Sequence, residues 1–399
     1  MPTETPERAR VSAFSVFLAF LRLGLTSFGG PIAHLGYFRR DLVERRRWIS
    51  EHDYADLVAL CQFLPGPASS QTGFAIGLRR AGVLGGLAAF LGFTLPSALL
   101  MLAAAWGLKQ VDPRVLPPVI HGLNLVAVAI VAQAVVQMAR GNLKSLASCT
   151  LALLSLAFAI YAGAMSAPVI IAAAALAGFL IPPGPQTDPP APPPRPRFAP
   201  SLVIFLIALA PLAILPLLRQ VFDTPVLVTA DGFYRSGALV FGGGHVVLPL
   251  LEAETAGRIS HDDFLAGYGA AQALPGPLFS FSAYAGALSS PNPPDLLLGL
   301  VALLAIFAPG FLLVSAADPL WQSLRHSART RRLVAFASAS VVGVLAAAWW
   351  RPVVETAILN GWDIALASAG FLALLHPRTP VLAVVIPLAA LGAAVFAWA

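Results

Sequence analysis

The sequence predicts an all-α integral membrane protein made of two homologous helical repeats. Of its 399 residues, 58% are hydrophobic and 11% are charged, whereas soluble domains carry about 25% charged residues. Apolar runs of roughly 17 to 25 residues, long enough to cross the hydrocarbon core of a bilayer, recur from Val11 to Ala399. The net charge of +6 comes from basic residues between these runs. This pattern indicates topogenic loops and a lipid bilayer as the partner, not a nucleic acid.

Two motifs that occur twice establish the repeat. The triplet FGG at 28–30 recurs at 241–243, and QFLPGP at 62–67 recurs as QALPGP at 272–277. The copies are therefore offset by 213 residues at the first motif and by 210 at the second. Shared composition alone does not produce such a collinear series, so the chain is a duplication.

The predicted helices follow in order along both copies. In the first copy they cover Val11 to Phe28, Val83 to Leu108, Val119 to Ala139, Ser145 to Ala162 and Pro168 to Ile181. In the second copy they cover Ser201 to Leu218, Val226 to Val240, Leu296 to Val314, Leu333 to Trp350, Ile364 to Leu375 and Val381 to Trp398. Between the copies, 182–200 contains ten prolines in nineteen residues, a density that no helix survives. We therefore predict a first repeat over 1–181, an extended linker over 182–200 and a second repeat over 201–399.

Each Pro-Gly-Pro interrupts a segment that is otherwise long enough to span a membrane. Pro67 cannot donate to the helical ladder and its ring clashes with the preceding turn, so the helix must end near Leu64 and restart near Ala68. Each half then has about 11 residues and a length of about 17 Å. We predict broken or re-entrant helices that reach the middle of the bilayer.

The charged residues favour inverted copies. Arginines at 39, 40 and 45–47 precede the first broken segment and arginines at 79 and 80 follow it, which places both flanks in the cytoplasm. The matching loop of the second copy holds Glu252, Glu254, Asp262 and Asp263 against Arg258, which is typical of the outer side.

The predicted number of crossings conflicts with this inversion. Inverted copies need an odd number of crossings between equivalent points, and the sequence predicts six helices there. One of them, Ser201 to Leu218 or Pro168 to Ile181, would then not cross. A parallel repeat with fully spanning broken helices is the alternative.

The helix that restarts after Pro67 is a candidate anion site. Its first amides have no partner within the helix and carry about half a positive charge, and the hydroxyls of Ser69 and Ser70 add donors beside them. The second copy offers Ser280 with fewer hydroxyls and more phenylalanine, so we expect the anion nearer the first copy. The alternative is a pair of packing kinks whose serines bond back to the preceding turn.

Arg22 and Arg235 occupy equivalent positions among apolar neighbours. An arginine within the membrane costs at least about 2.5 to 3.5 kcal/mol, so a matched pair suggests a function. The guanidinium fork can bind two oxygens of a tetrahedral oxyanion at once. Alternatively, each side chain lies near a helix end and reaches the interface.

The remaining candidates flank these features. The glycine pairs of the FGG motifs allow either close helix packing or backbone contact with a ligand. Glu44 aligns with Glu254 at offset 210, and His34 and His245 lie close to the glycine pairs. These four could pair with the arginines or carry protons, although solvated loop charges and packing histidines are the common explanations.

The full set of candidates divides into two groups. The candidate substrate-binding residues are Arg22, Gly29, Gly30, Pro65, Gly66, Pro67, Ser69, Ser70, Arg235, Gly242, Gly243, Pro275, Gly276, Pro277 and Ser280, and the candidate coupling residues are Glu44, His34, His245 and Glu254. The sequence contains no HExxH or GxSxG motif and no paired intramembrane aspartates, so a membrane-embedded enzyme is a remote alternative. We predict no catalytic residue, metal site or cofactor.

Taken together, these motifs resemble the chromate ion transporter family in its long, two-domain form. The resemblance rests on FGGPIAHLGY at 28–37, VERRRW at 43–48, LCQFLPGPAS at 60–69 and GLRRAG at 77–82. In the second copy it rests on FGGGH at 241–245, LPL at 248–250 and QALPGP at 272–277. Two departures are Gly244-His245, where an aromatic residue is expected, and the low hydroxyl content after Pro277.

The resemblance implies a multi-pass protein of the bacterial inner (plasma) membrane that exports chromate and confers chromate resistance. Sulfate or another tetrahedral oxyanion is the alternative substrate, and a homo-oligomer is left open. The family residues carried onto this chain are Arg22, Gly29, Gly30, Glu44, Pro65, Gly66, Pro67, Gly242, Gly243, Pro275, Gly276 and Pro277.

Overall fold

A computed structural model describes residues 11–28, 30–107, 116–162, 167–181, 198–240, 247–290, 292, 294–324, 327–376, 379 and 381–398. These residues form helices and connecting turns and no strand. The all-α prediction is therefore confirmed over this part of the chain. The predicted linker falls mostly on 182–197, outside the described residues, so its extended conformation stays a prediction.

The helices fall into two series. The first series is α1 (Ala13–Thr26), α2 (Gly30–Phe38), α3 (Glu51–Phe63), α4 (Ala68–Gly107), α5 (Leu116–Asn142), α6 (Leu146–Ala162) and α7 (Ala167–Leu180), and α8 (Phe198–Val221) follows it. The second series is α9 (Pro225–Leu239), α10 (Val247–Thr255), α11 (His261–Ala273), α12 (Phe281–Leu288), α13 (Leu296–Leu324), α14 (Ala328–Ala348), α15 (Glu355–Ala357), α16 (Gly361–Leu375) and α17 (Val381–Trp398). Irregular helical turns at Arg39–Arg45, Leu278–Ser280 and Trp349–Val354 complete the two series.

The two series match element by element. Helices α3 and α11 both have 13 residues, and both begin at a serine whose hydroxyl accepts from the backbone N–H three residues later. This is a standard N-terminal cap. Pro96 of α4 and Pro309 of α13 both lie inside a helix at offset 213. Within the described residues, α8 alone among the long helices has no counterpart.

Each Pro-Gly-Pro turns the chain back on itself. Asp53, in the first turn of α3, interacts electrostatically with Arg79, about three turns into α4. Cys61, near the end of α3, hydrogen-bonds Thr72, near the start of α4. In the second copy the Tyr284 hydroxyl donates to the backbone oxygen of Asp263 at 2.7 Å. Helices α3 and α11 therefore run antiparallel to the segments that follow them.

Helix α4 contains a second reversal. Ala81 and Gly82 leave the helical conformation, and Gly82 has a φ of +67°. A Cβ on Gly77 would collide with the backbone of Gly85, so the segments on either side of the kink lie in close contact. We name them α4a (68–80) and α4b (83–107). Helices α12 and α13 form the matching pair in the second copy, where Gly286 lies against Gly299.

Equivalent helices of the two copies run in opposite directions. Gly299, near the start of α13, lies against Leu102, near the end of α4b. The rings of Phe90 and Phe307 meet midway, 5.1 Å apart, and Arg79 bonds Asp318 near the end of α13. Because α4b and α13 are equivalent, their antiparallel contact relates the copies by a two-fold axis perpendicular to the helices. An inverted repeat has this geometry, and a parallel repeat does not.

The helix predicted over Val11 to Phe28 is followed by a second helix that folds back on it. The rings of Phe20 and Phe38 are 5.4 Å apart, so α2 folds back along α1. In the second copy Glu254 of α10 lies against Gly232 of α9. The prediction of Val11 to Phe28 as a crossing helix therefore differs from the structure, in which α1 is one arm of a helical hairpin. Apolar sequence looks the same in a crossing helix and in a hairpin arm.

Several helices have the length and composition of membrane spans. Among the described residues five qualify, namely Ala68–Gly107, Asn124–Asn142, Ala199–Val221, Leu296–Trp321 and Ala328–Arg351, and six shorter apolar helices accompany them. Only 11% of the apolar stretch of α8 is buried, so its side chains are available to lipid. These lengths support a multi-pass membrane protein.

The copies are also intertwined. Helix α5 of the first copy packs on α16 and α17 of the second, and α14 of the second copy packs on α6 and α7 of the first. This exchange of helices follows the same two-fold axis that relates α4b to α13. The two copies therefore pack against each other through exchanged helices.

Candidate functional site

The tips of the hairpins meet in two reciprocal contacts. The backbone N–H of Gly276 donates to the backbone oxygen of Ser27 at 2.9 Å, and that of Gly66 donates to Val240 at 2.7 Å. Ser27 and Val240 are equivalent at offset 213, and Gly66 and Gly276 at offset 210. Each Pro-Gly-Pro therefore bonds to the residue before the FGG motif of the other copy. We call the Ser27–Gly276 contact the first crossing and the Val240–Gly66 contact the second crossing.

Both glycines are required by their conformation and their surroundings. Gly66 has a φ of +118° and Gly276 a φ of +99°, values that residues with a side chain rarely adopt. A Cβ would lie 3.0 Å from Gly310 Cα at the second crossing and 2.7 Å from Ser97 Oγ at the first. The central residue of each Pro-Gly-Pro thus lets two backbones approach closely.

Polar side chains surround the first crossing. His34 Nδ1 lies 3.4 Å from Ser69 Oγ, and the His34 ring lies beside the backbone of Ser27. Ser27, His34, Ser69 and Ser97 are each at most 2% exposed. Ser27 Oγ and His34 Nε2 have no hydrogen-bond partner among the described residues. Buried polar atoms rarely lack a partner, so these two atoms point to a ligand.

Gln71 occupies the second crossing. Its side-chain nitrogen donates to the backbone oxygens of Pro65 at 2.8 Å and Gly310 at 3.1 Å, and the residue is fully buried. The glutamine thereby links the first Pro-Gly-Pro to α13. It was absent from the sequence candidates because an isolated glutamine in a helix gives no sign of such a bridge.

The helix starts after the two Pro-Gly-Pro motifs differ. Helix α4 begins at Ala68, and Ser69 and Ser70 in its first turn are buried. The Ser70 hydroxyl has no partner among the described residues. The second copy begins with the short 3₁₀ turn Leu278–Ser280, which includes the buried Ser280. A continuous α-helix therefore presents its amino end only in the first copy.

Arg22 lies at the edge of an open cleft. The cleft has a volume of about 410 Å³ and is lined by Arg22, Leu23, Thr26, Tyr37, Arg40, Asp41, Glu44 and Arg45. Asp41 pairs with Arg45 and Arg46, and Glu44 pairs with Arg39 at 3.3 Å. Arg22 is exposed and forms no ion pair with any residue that the structure describes. Its charge is available to a solute in the cleft.

Arg235, the equivalent of Arg22, is neutralised. The buried carboxylate of Asp231 accepts from Arg235 and, at 2.7 Å, from Arg219 of α8. Glu254 lies 3.8 Å from Arg235 on the other side. In the first copy Leu18 stands at the position of Asp231, so the two arginines have different surroundings despite their matching positions.

Several candidates cannot be placed. Gly29, Gly242, Gly243 and His245 lie outside the described residues, and Gly30 begins α2 with a φ of +78°. One group of side chains in the described part could hold a cation, at the start of α3, where ligand atoms of His52, Asp53 and Asp56 lie within 4.8 Å of one another. Asp53 already accepts from the Ser50 hydroxyl at 2.8 Å, in keeping with its position at the helix cap.

Comparison with known proteins adds independent information. A family model described as chromate transporter matches residues 14–179 and 227–395. These two regions contain α1 to α7 and α9 to α17, and the gap between them contains α8. The chain is also similar to individual proteins of several organisms, and no solved structure matches it.

Three relatives illustrate the sequence identities and the coverage of these matches. The chromate transport protein of Pseudomonas aeruginosa is 28% identical over 351 residues, which are 83% of this chain and 79% of that protein. The chromate transport protein of Cupriavidus metallidurans is 27% identical over 337 residues, which are 82% and 80% of the two chains. An uncharacterized transporter of Methanocaldococcus jannaschii is 24% identical over 90% of this chain and 88% of its own.

Proposed function

The chain belongs to the chromate transporter family, and from that premise we propose that it is a secondary transporter that exports chromate across the plasma membrane and confers chromate resistance. Both copies match the family model, and two relatives over most of the chain are named chromate transport proteins. The long apolar helices support a membrane location. Transport of an oxyanion through the membrane is the function that fits all three.

The reciprocal hairpin contact is the observation that carries this proposal. In transporters with inverted repeats the solute binds near the middle of the bilayer, where broken helices of the two repeats meet. Here the hairpin tips meet through Ser27–Gly276 and Gly66–Val240, and equivalent helices run in opposite directions. Rocking of one copy against the other would open this point first to one side and then to the other.

The number of crossing helices in this proposal agrees with inverted copies. With α1 as a hairpin arm, the helices that cross between equivalent points are α4b, α5, α6, α7 and α8, an odd number that yields inverted copies. The positive-inside rule then places the arginine-rich turn 39–47 and Arg79 in the cytoplasm. The number of crossings is therefore odd without leaving out the helix predicted at Ser201 to Leu218 or the helix predicted at Pro168 to Ile181.

The Arg22 cleft is the proposed cytoplasmic entrance. Arg22 and Arg40 line it, and Arg22 has no carboxylate partner among the described residues. A guanidinium near a helix end attracts a dianion and can bind two of its oxygens. From there the anion would reach the Pro-Gly-Pro tips and the amino end of α4, where Ser69 and Ser70 lie.

The membrane potential supplies a driving force for export. Chromate near neutral pH is largely a dianion, and moving two charges out of a negative interior releases about 4.6 kcal/mol per 100 mV. Export needs no other energy source, whereas accumulation would require coupled protons or sodium. Glu44, His34, His245 and Glu254 remain candidates for proton coupling.

Uptake into everted membrane vesicles tests the proposal. With the vesicle interior made positive, we expect chromate to accumulate in vesicles that contain this protein and not in vesicles from cells that lack it. Sulfate and molybdate added in excess report the choice of oxyanion, and an imposed pH gradient reports proton coupling. No potential-dependent uptake of any of the three anions would refute the proposed function.

A further inference from the structure

We propose that the oxyanion binds at the first crossing alone, held by the Ser27 hydroxyl and the His34 ring, and that the second crossing is a sealed structural contact. This inference rests on the proposed function and narrows it. Each chain would hold one tetrahedral oxyanion at the centre, although its two copies supply two equivalent crossings.

The chemical contrast between equivalent positions is the first argument. Polar residues of the first crossing correspond to residues without a polar side chain at the second, namely Ser27 to Val240, His34 to Val247 and Ser97 to Gly310 at offset 213, and Ser69 to Phe279 at offset 210. A site with two equal halves would keep its donors in both. The backbone contact remains at both crossings, so the fold requires the contact. At these four pairs of positions only the first crossing has side chains that can donate.

Unpartnered donors are the second argument. Ser27 is 0% exposed and His34 is 1% exposed, and neither Ser27 Oγ nor His34 Nε2 has a partner in the described part of the chain. Both groups belong to one contact, since the His34 ring lies beside the backbone of Ser27. The Ser69 hydroxyl can donate to His34 Nδ1, and in that tautomer His34 Nε2 carries the proton and is a donor. A tetrahedral oxyanion offers acceptor oxygens in several directions and could satisfy both groups at once.

The second crossing is closed by its own side chains. The Gln71 amide nitrogen is already shared between two backbone oxygens, which orients its free Oε1 as an acceptor that would repel an anion. The rings of Phe279 and Phe307 lie 5.8 Å apart, and those of Phe307 and Phe311 lie 5.6 Å apart. Phe279 thus stands where the first crossing has Ser69, and it supplies no donor.

The negative charge is balanced without a buried arginine. Ser69, next to His34, lies in the first turn of α4, where the unpaired amides of the helix carry partial positive charge. Neutral donors and a helix end can hold a dehydrated oxyanion and release it again. Arg22, which is exposed, would then act in capture of the anion and not in the central site.

Matched truncations at equivalent positions test the inference. The purified full-length protein is measured for chromate binding by equilibrium dialysis and for chromate transport in proteoliposomes. A hydrogen bond to a charged group is strong enough that losing it weakens binding about tenfold or more. We expect this loss for Ser27→Ala and His34→Ala, and a change within about threefold for Val240→Ala and Val247→Ala, with one chromate bound per wild-type chain.

The outcomes separate this inference from the proposed function. Transport by the wild type with equal losses in both pairs, or with two anions bound per chain, would overturn the single site and leave chromate transport standing. A wild type that neither binds nor transports chromate, sulfate or molybdate would overturn both. If His34→Ala does not fold, Ser69→Ala removes only one hydroxyl beside the same ring and is expected to weaken binding in the same direction.

Discussion

Replacing Gly276 by alanine should damage the first crossing through two separable effects. An alanine at a φ of +99° is strained by about 1–3 kcal/mol. Its Cβ would also lie 2.7 Å from Ser97 Oγ, and such overpacking costs about 1–3 kcal/mol more. The expected loss of stability is therefore about 2–6 kcal/mol, a large share of the about 5–15 kcal/mol that stabilises a typical folded domain.

Gly82 provides a matched control for the strain. It has a φ of +67°, and a Cβ there would meet no atom within 4 Å. With a ψ of −160°, Gly82 lies in a backbone region that is essentially confined to glycine, so Gly82→Ala should lose only the strain of about 1–3 kcal/mol. The double variant Gly276→Ala with Ser97→Ala removes the hydroxyl that the new methyl group meets, and should recover part of the packing loss.

Thermal unfolding of the purified protein in detergent, followed by loss of the monodisperse peak in size-exclusion chromatography, measures these differences. Chromate uptake by vesicles is measured in parallel and should fall most for Gly276→Ala. Equal unfolding midpoints for Gly276→Ala and Gly82→Ala would refute the argument that the close approach to Ser97 requires glycine at position 276. A double variant no more stable than Gly276→Ala would refute it as well.

Three other substitutions have defined outcomes. Arg22→Gln should abolish chromate uptake by everted vesicles while immunoblots show normal membrane levels, and retained uptake would remove Arg22 from the pathway. Asp231→Asn should weaken the ion pairs with Arg235 and Arg219 and lower the unfolding midpoint. The loss should be less than the about 3–5 kcal/mol of a fully buried pair, because both arginines are about a third exposed; an unchanged midpoint would contradict the role of Asp231. Asp363→Asn should likewise destabilise the protein, because the Asp363 carboxylate lies 2.8 Å from His121 Nε2 and is fully buried. Because neither residue of that last pair is near the crossings, uptake normalised to folded protein should be unchanged.

Much of the fold follows from sequence because its determinants are local. A Pro-Gly-Pro sequence ends a helix more surely than a lone proline, since Pro96 and Pro309 lie inside helices. The breaks before Ala68 and before Leu278 could therefore be placed to within a few residues. The collinear repeat predicted the correspondence of helices. The direction of α2 relative to α1 could not be predicted in the same way, because the return of the chain after α1 depends on contacts such as Phe20 with Phe38.

The candidate site was harder to predict because it is made by residues far apart in the chain. Ser27 gave no signal by itself, and its position opposite Gly276 exists only once the copies are packed together. A usable signal was nevertheless present. Comparing residues at equivalent positions would have paired Ser27 with Val240 and His34 with Val247, and so would have marked the first crossing as chemically different.

Helix α8 connects the topology of the protein with the asymmetry of its site. In the proposed topology each copy contributes an even number of crossing helices, so two copies in tandem would face the same way without an additional crossing. Helix α8, which lies outside both matched family regions, would supply that crossing. The same helix carries Arg219, which bonds Asp231 and so completes the network that neutralises Arg235. The element that would invert the second copy therefore also helps to make its arginine different from Arg22, which agrees with the proposed single site.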